Sequence, residues 1–397
     1  MTRPITKYLP QLLGFIIAVG PLSTDMYLPA FPAIAREFHD QAAPQYSLAA
    51  YFVGLAIGQM TQGALSDRLG RRGPLLFGLA LYTLASIGCA LSDSTATLML
   101  FRFLTALGAS AGIVIPRAQV RDLTDGPAAA HMFSQLMLVM GVAPILAPML
   151  GAGVVAFASW RMIFLVCAAY GAVALAAIWL FLPDTLPPER RSLIGLWPVL
   201  LRYGVIFREP AFLTHALIAS FTAGALFAYL AGTPQIFIGL YGWSTAEFAA
   251  LFGLNSITYI AYSQLNPALV NRFGIAPVIT AAGTVLLLAC LALAGIAWAP
   301  LGALPVVAAL LLCELGFGLV QPCAMVGALS RHQAHAGSAS ALLGTMTYAA
   351  GAIAGLAVGI LADGTARPMA AAMLLCAIAA MLAGSRRPVL TFAPVET

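Results

Sequence analysis

Gly63-Ala64-Leu65-Ser66-Asp67-Arg68-Leu69-Gly70-Arg71-Arg72 is a short polar break between two long apolar runs, and Asn271-Arg272-Phe273-Gly274 echoes its centre at a later break. Arg68 and Arg272, like Gly70 and Gly274, stand 204 positions apart. The same turn after the second apolar run and again after the eighth marks a chain made of two related halves, a plan seen in membrane proteins with internal repeats.

Working outward from that break, charged and Pro/Gly-rich interruptions divide the chain into twelve apolar segments: 8–34, 45–66, 73–92, 96–117, 130–156, 162–182, 211–238, 246–267, 275–298, 302–325, 337–362 and 368–385. A helix crossing a bilayer needs about 20 mainly apolar residues, and each segment comes close to or exceeds that. The fold class expected is therefore an all-α polytopic membrane protein, with twelve transmembrane helices in two six-helix pseudo-symmetric halves. Residues 1–182 form the first half, 183–210 a cytoplasmic linker containing Trp197, and 211–397 the second half.

Composition agrees. Of 397 residues, 61% are hydrophobic and 8% charged, against roughly 45–50% and 25% in an ordinary soluble domain. The net charge of +5 is scattered over polar breaks, which argues against a nucleic-acid partner. The run from Tyr8, after Arg3 and Lys7, resembles a secretory signal, but it is about twice the length of a signal's apolar core and contains Asp25, so it reads as a retained first helix. Six cysteines lie in apolar stretches without CxxC spacing, and His332 and His335 lack an acidic companion in sequence, so no metal site is expected. No nucleophile has an evident base, which argues against an enzyme.

Orientation follows from the cations, because cytoplasmic loops retain Lys and Arg. With both termini inside, 15 of the 19 Lys and Arg residues fall on the cytoplasmic side, Arg117 among them; Arg36, Arg161 and Arg367 fall outside, and Arg102 lies within a span. The expected location is the bacterial inner membrane.

Charges within spans are costly, about 2.5–3.5 kcal/mol each at the bilayer centre on insertion scales, and they usually face a cavity or a partner. Asp25 in span one, Arg102 in span four and Glu314 in span ten are the clear cases. Asp25 and Arg102 fall at one depth, so an ion pair that couples to protons, or merely holds two helices, is expected, with Glu314 a second titratable group. Spans one, four and ten each open a three-helix unit, which places the first helices along a central path. Pro21, Pro29 and Pro32 in span one, with Gly141, Pro144, Pro148 and Gly151 in span five, allow bending or close packing. Span aromatics, among them Tyr51, Phe52, Phe221, Phe227 and Tyr259, mostly pack; Tyr27 beside Asp25 and Tyr229 in the matching helix of the second half are the candidate ligand contacts, together with Asp25.

These residues resemble the major facilitator superfamily, and within it the Bcr/CflA type of drug:proton antiporters. Gly63 to Arg72 is similar to the superfamily's loop between helices two and three, and Arg102 with Gly108 to its helix-four motif, although Thr105 and Ala106 stand where Gln and Gly are frequent. Asp25-Met26-Tyr27-Leu28-Pro29-Ala30 resembles the drug-exporter signature of helix one. Ala143-Pro144 through Pro148 and Gly151 resembles the antiporter motif of helix five, with Ala143 where Gly is common. Asp184-Thr185-Leu186-Pro187-Pro188-Glu189-Arg190-Arg191 and Ala336 to Ser340 look like Bcr/CflA sequences as well. The resemblance implies alternating access, a conformational role for Gly63, Asp67, Arg68, Gly70, Arg71 and Arg72, a proton as the only coupling species, no cofactor, and a small, largely hydrophobic drug exported by a functional monomer in the lipid bilayer. A metabolite exporter or uptake carrier of the same fold is the alternative within transport; a non-transporting membrane sensor is the alternative outside it.

Overall fold

The computed structural model describes residues 9–124, 126–191, 196–299, 301–332 and 335–388. Arg3, Lys7 and the side chain of Trp197 lie outside the described residues. The chain is an all-α polytopic membrane protein. Its crossing helices are α1 (Leu9–Glu37), α2 (Ala43–Leu69), α3 (Arg72–Ala90), α4 (Thr95–Leu123), α5 (Gly126–Phe157) and α6 (Arg161–Phe181). After a linker helix, Leu196–Phe207, come α7 (Pro210–Leu240, its last six residues a wider π turn), α8 (Thr245–Phe273), α9 (Ile275–Trp298), α10 (Ala303–Leu329), α11 (Ala336–Ile360) and α12 (Arg367–Ser385).

Among the described residues, eleven helices are long and apolar enough to cross a membrane. The exception, α8, has 29 residues, about 43 Å of rise, which is more than a hydrocarbon core of about 30 Å requires. Its polar residues lower its hydropathy because several of them face an internal cavity. Elsewhere the outer surface is apolar: Phe77, Leu84, Trp179 and Leu375 are each about two-thirds exposed, an arrangement that suits lipid and would be a liability in water.

The first helix is not continuous. It runs as Leu9–Ile17, Val19–Asp25, a 3-10 turn Leu28–Ala30, and Phe31–Glu37. Each break follows from a proline, whose ring excludes the carbonyl four residues earlier and which has no N–H to offer it. Pro21 acts on Ile17, and Pro29 acts on Asp25, the last residue of its segment. The restriction also reaches the residue before each proline.

The arginine-rich end of the bundle gathers the 67–72 and 271–274 turns and the linker helix. There the repeat is visible in the backbone: Gly70 has φ 91° and ψ 165°, and Gly274 has φ 83° and ψ 164°. The two sets of six helices meet along α2 with α11 and α5 with α8. At the opposite end Gln45 Nε2 donates to the Ala231 carbonyl at 3.2 Å, and the Gln235 amide donates to the carbonyl of Gln41. Nearer the middle, Thr345 Oγ1 donates to the Ala56 carbonyl at 2.9 Å.

Candidate functional site

A cavity of about 490 Å³ lies between the two sets of helices. Its wall comes from α1, α2, α4, α5, α7, α8, α10 and α11. The first helices of all four three-helix units therefore do line it, but so do the second ones, because α2, α5, α8 and α11 form the seam. The cavity reaches toward the arginine-rich end: Ser340 lies one turn inside the start of α11, and Met325 one turn before the end of α10.

Among the described residues, three charged ones line the cavity: Asp25, Glu314 and Arg117. Asp25 and Glu314 are 6% and 3% exposed, and among the described residues neither carboxylate has an ion-pair or hydrogen-bond partner. Asp25 ends a helical segment at the Pro29 break, so backbone and side chain at this point both lack the partners that a regular helix or a salt bridge supplies. On α5, Gly151 packs against the same break, and a Cβ there would run into the Met26 carbonyl. Gly141 and Pro144 face the cavity instead, while Pro148 is buried away from it.

Arg102 does not meet Asp25. It is fully buried, and its Nη1 donates to the Ser23 carbonyl at 2.9 Å and Ser23 Oγ at 3.3 Å. Its guanidinium stands over the rings of Tyr51 and Tyr27, at 4.2 and 4.7 Å from their centroids, a cation–π box. The expected pairing fails because a shared depth is not a shared face: Ser23 and Asp25 are separated by about 200° around the helix. Tyr27 is likewise not a cavity residue. Its hydroxyl is bonded to Ser47 Oγ, and its ring lies under Arg102. Tyr229 does line the cavity and accepts a hydrogen bond from Asn255 Nδ2 at 2.7 Å. Phe52, Phe227 and Tyr348 form an aromatic wall, with centroids 4.3 to 6.2 Å apart.

Arg117, read from the sequence as the cytoplasmic end of span four, is inside α4, which continues past it to Leu123. The segment was cut at a charge that in fact faces the cavity. Asn255, Gln321 and Tyr348 were also not foreseen; the signal available was the low hydropathy of α8 and the scattered amides in otherwise apolar helices.

At the arginine-rich end, Arg71 is 7% exposed and joins three helix ends. It pairs with Asp67, with Asp122 at 2.8 Å, and, through its backbone N–H, with Asp184 at 2.9 Å. Burial alone would pull the Arg71 guanidinium down, but the hydrogen bonds to Asp122 and Asp67 outweigh it and hold its pKa above the ordinary value. Arg191 closes onto Asp184 at 2.9 Å, and Arg72 donates to the Trp179 carbonyl at 2.7 Å. A Cβ at Gly70 would strike the Asp184 carboxylate. Gly63 differs from the expectation: it lies within α2 rather than at the turn, with only Val114 within 4 Å of an added Cβ. Arg68 is exposed. His332, without an acidic companion nearby in sequence, stands 3.7 Å from Glu209 in the fold.

A family model described as Major Facilitator Superfamily matches residues 13–355. The chain is 38% identical over 385 residues to the uncharacterized MFS-type transporter YdgK of Bacillus subtilis, covering 94% of this chain and 93% of that one. It is 31% identical over 366 residues to a chloramphenicol resistance protein of Pseudomonas aeruginosa, covering 90% and 85%. Among solved structures, a bacterial homolog of the human lysosomal transporter Spinster, inward-facing and unoccupied, superposes with a TM-score of 0.76 at 16% identity over 98% of each chain.

Proposed function

The chain belongs to the Major Facilitator Superfamily, so it is a secondary-active transporter of small solutes across a bacterial membrane rather than an enzyme, and from that premise we propose that it is a proton-coupled drug exporter of the Bcr/CflA type. In this reading both termini are cytoplasmic, the two halves divide at the 183–210 linker, and the cavity described above faces the cytoplasm. Asp25 carries the proton. A small, largely hydrophobic compound enters the cavity while Asp25 is charged; protonation from the outer side discharges it, and the halves rock about the α2/α11 and α5/α8 seams. One inward proton gains about 2.3 kcal/mol per 100 mV of membrane potential, enough to sustain a drug gradient.

The observation that carries this reading is Asp25 itself: a buried carboxylate on the cavity wall, without a partner among the described residues, at a proline break that the antiporter-like Gly151 packs against. Arg102 acts as a positioning residue, holding Ser23 and so fixing how the Asp25 segment presents its face. Glu314 is a second titratable group in the same chamber. The Arg71 cluster is the conformational latch, in this state closed within the first half.

Inverted vesicles test the proposal. Asp25→Asn is expected to insert normally, to lose drug accumulation driven by an imposed proton gradient, and to lose drug-induced proton release in detergent. Accumulation at the wild-type rate by that variant would refute Asp25 as the proton carrier.

A further inference from the structure

The third charge in the chamber has no use in that cycle. Arg117 lines the cavity, and among the described residues its guanidinium enters no salt bridge and no hydrogen bond, with Nε buried. Arg117 is half-buried, with its Nε shielded and its terminal nitrogens open to the chamber, so within the membrane it presents an unpaired cation to whatever enters.

Its position says what. Ile113, one turn earlier on α4, packs against the Gly20 position of α1. Arg117 is thus about 6 Å nearer the arginine-rich end than Gly20, and Asp25 about 7.5 Å farther from it, at 1.5 Å of rise per residue. Opposite charges therefore face one chamber at levels about 13 Å apart. No acid of the cavity shares Arg117's level: its counterpart at the 204-residue offset is Gln321, and Glu314 precedes Gln321 by seven residues, about 10 Å of rise. Between the two levels stands the aromatic wall of Phe52, Phe227 and Tyr348, which lines the same chamber.

We infer that Arg117 is an anion-recognising subsite and that the cargo is an amphoteric aromatic compound. Its acidic group pairs with the guanidinium, whose planar fork suits a carboxylate. Its ring lies against Phe52, Phe227 and Tyr348, and its basic nitrogen points toward Asp25, where it competes with the proton. The inference rests on the exporter reading and sharpens it.

Norfloxacin, a fluorescent zwitterion, and its methyl ester, which keeps the ring and the basic nitrogen, make the test. Binding to the purified full chain is followed by fluorescence for wild type, Arg117→Gln and Arg117→Lys. Wild type is expected to favour the acid over the ester by about tenfold or more, as for a charge-assisted pair. Arg117→Gln is expected to erase that preference while leaving ester affinity within about twofold, and Arg117→Lys to retain part of it. Equal weakening of both compounds by Arg117→Gln, no change in either, or a wild type that does not prefer the acid each overturns the subsite. Proton-driven uptake of the ester into inverted vesicles reports on the exporter reading separately: transport without any acid preference sinks only the subsite, and an Arg117-dependent acid preference without proton-driven transport sinks only the exporter.

Discussion

The turn after α2 and the turn after α8 have the same backbone and opposite chemistry. Both place a glycine at positive φ, 91° and 83°, on the same repeat position, yet the first is surrounded by Asp67, Asp122, Asp184 and Arg71, while the second has Asn271 in place of Asp67 and Ile275 in place of Arg71. Arg272 lies over its neighbour Phe273 and has no ion pair among the described residues. The same division runs through the membrane. Asp25 maps to Tyr229 and Tyr51 to Asn255 at the 204-residue offset, and α1 is broken at prolines where α7 runs unbroken to Pro234. The repeat preserves geometry, because a two-fold chamber needs matched helices. The ionisable parts are concentrated in one half, where a change of charge can act on a helix that already bends.

Substituting one arginine at each turn makes the largest stability contrast. Arg71→Ala removes the cation between two carboxylates and leaves the half-buried Asp122 unpaired, a change of the kind that costs about 3–5 kcal/mol. Arg272→Ala removes an exposed side chain and is expected to stay within about 0.5 kcal/mol. Thermal unfolding in one detergent checks both. Equal shifts for the two variants would mean that the carboxylates around Arg71 do not set the two turns apart.

A smaller effect is expected at the glycines of α5. A Cβ at Gly151 meets the Met26 carbonyl, which is backbone and cannot swing aside, whereas at Gly141 the nearest atom is Ile260 Cδ1 at 3.5 Å, ordinary contact. Gly151→Ala is expected to cost about 1–3 kcal/mol by overpacking and to slow transport by displacing the Asp25 break; Gly141→Ala is expected to do neither. Transport rates in vesicles, normalised to inserted protein, separate the pair, and a Gly151→Ala variant as fast as Gly141→Ala would show that the break is not held from α5.

Much of this was legible in the sequence, for one physical reason: charge and proline are expensive in a bilayer, so they stand out. The twelve helices, the repeat, and the placing of Asp25 and Glu314 on a central chamber all follow from that cost. What was not legible depends on rotation about a helix axis rather than position along it. Tyr27 is two residues past Asp25 and turns toward Ser47; Arg102 shares Asp25's depth and faces Ser23. Arg117 was misplaced by the opposite error, since ending a span at the cation nearest its cytoplasmic end assumes that such a cation is solvated, and this one faces the cavity. The Arg71 cluster was half visible: Asp67 is close in sequence, but Asp122 and Asp184 arrive from helix ends that only packing brings together.

The smallest contrast isolates the backbone from the charges around it. Gly70 and Gly274 occupy a conformation almost confined to glycine, so alanine at either position carries about 1–3 kcal/mol of strain. If strain were all, the two variants would match. They differ in surroundings: at Gly70 the added methyl strikes the Asp184 carboxylate that bonds the Arg71 N–H and Arg191, whereas at Gly274 the nearest atom is Pro277 Cδ at 3.9 Å. Gly70→Ala is therefore expected to be the more destabilising by about 1 kcal/mol, the worth of a typical hydrogen bond disturbed, and to lose that excess when Asp184→Ala removes the obstacle. A double-mutant comparison in which the excess persists without Asp184 would place the difference in the turn itself and not in the carboxylate beside it.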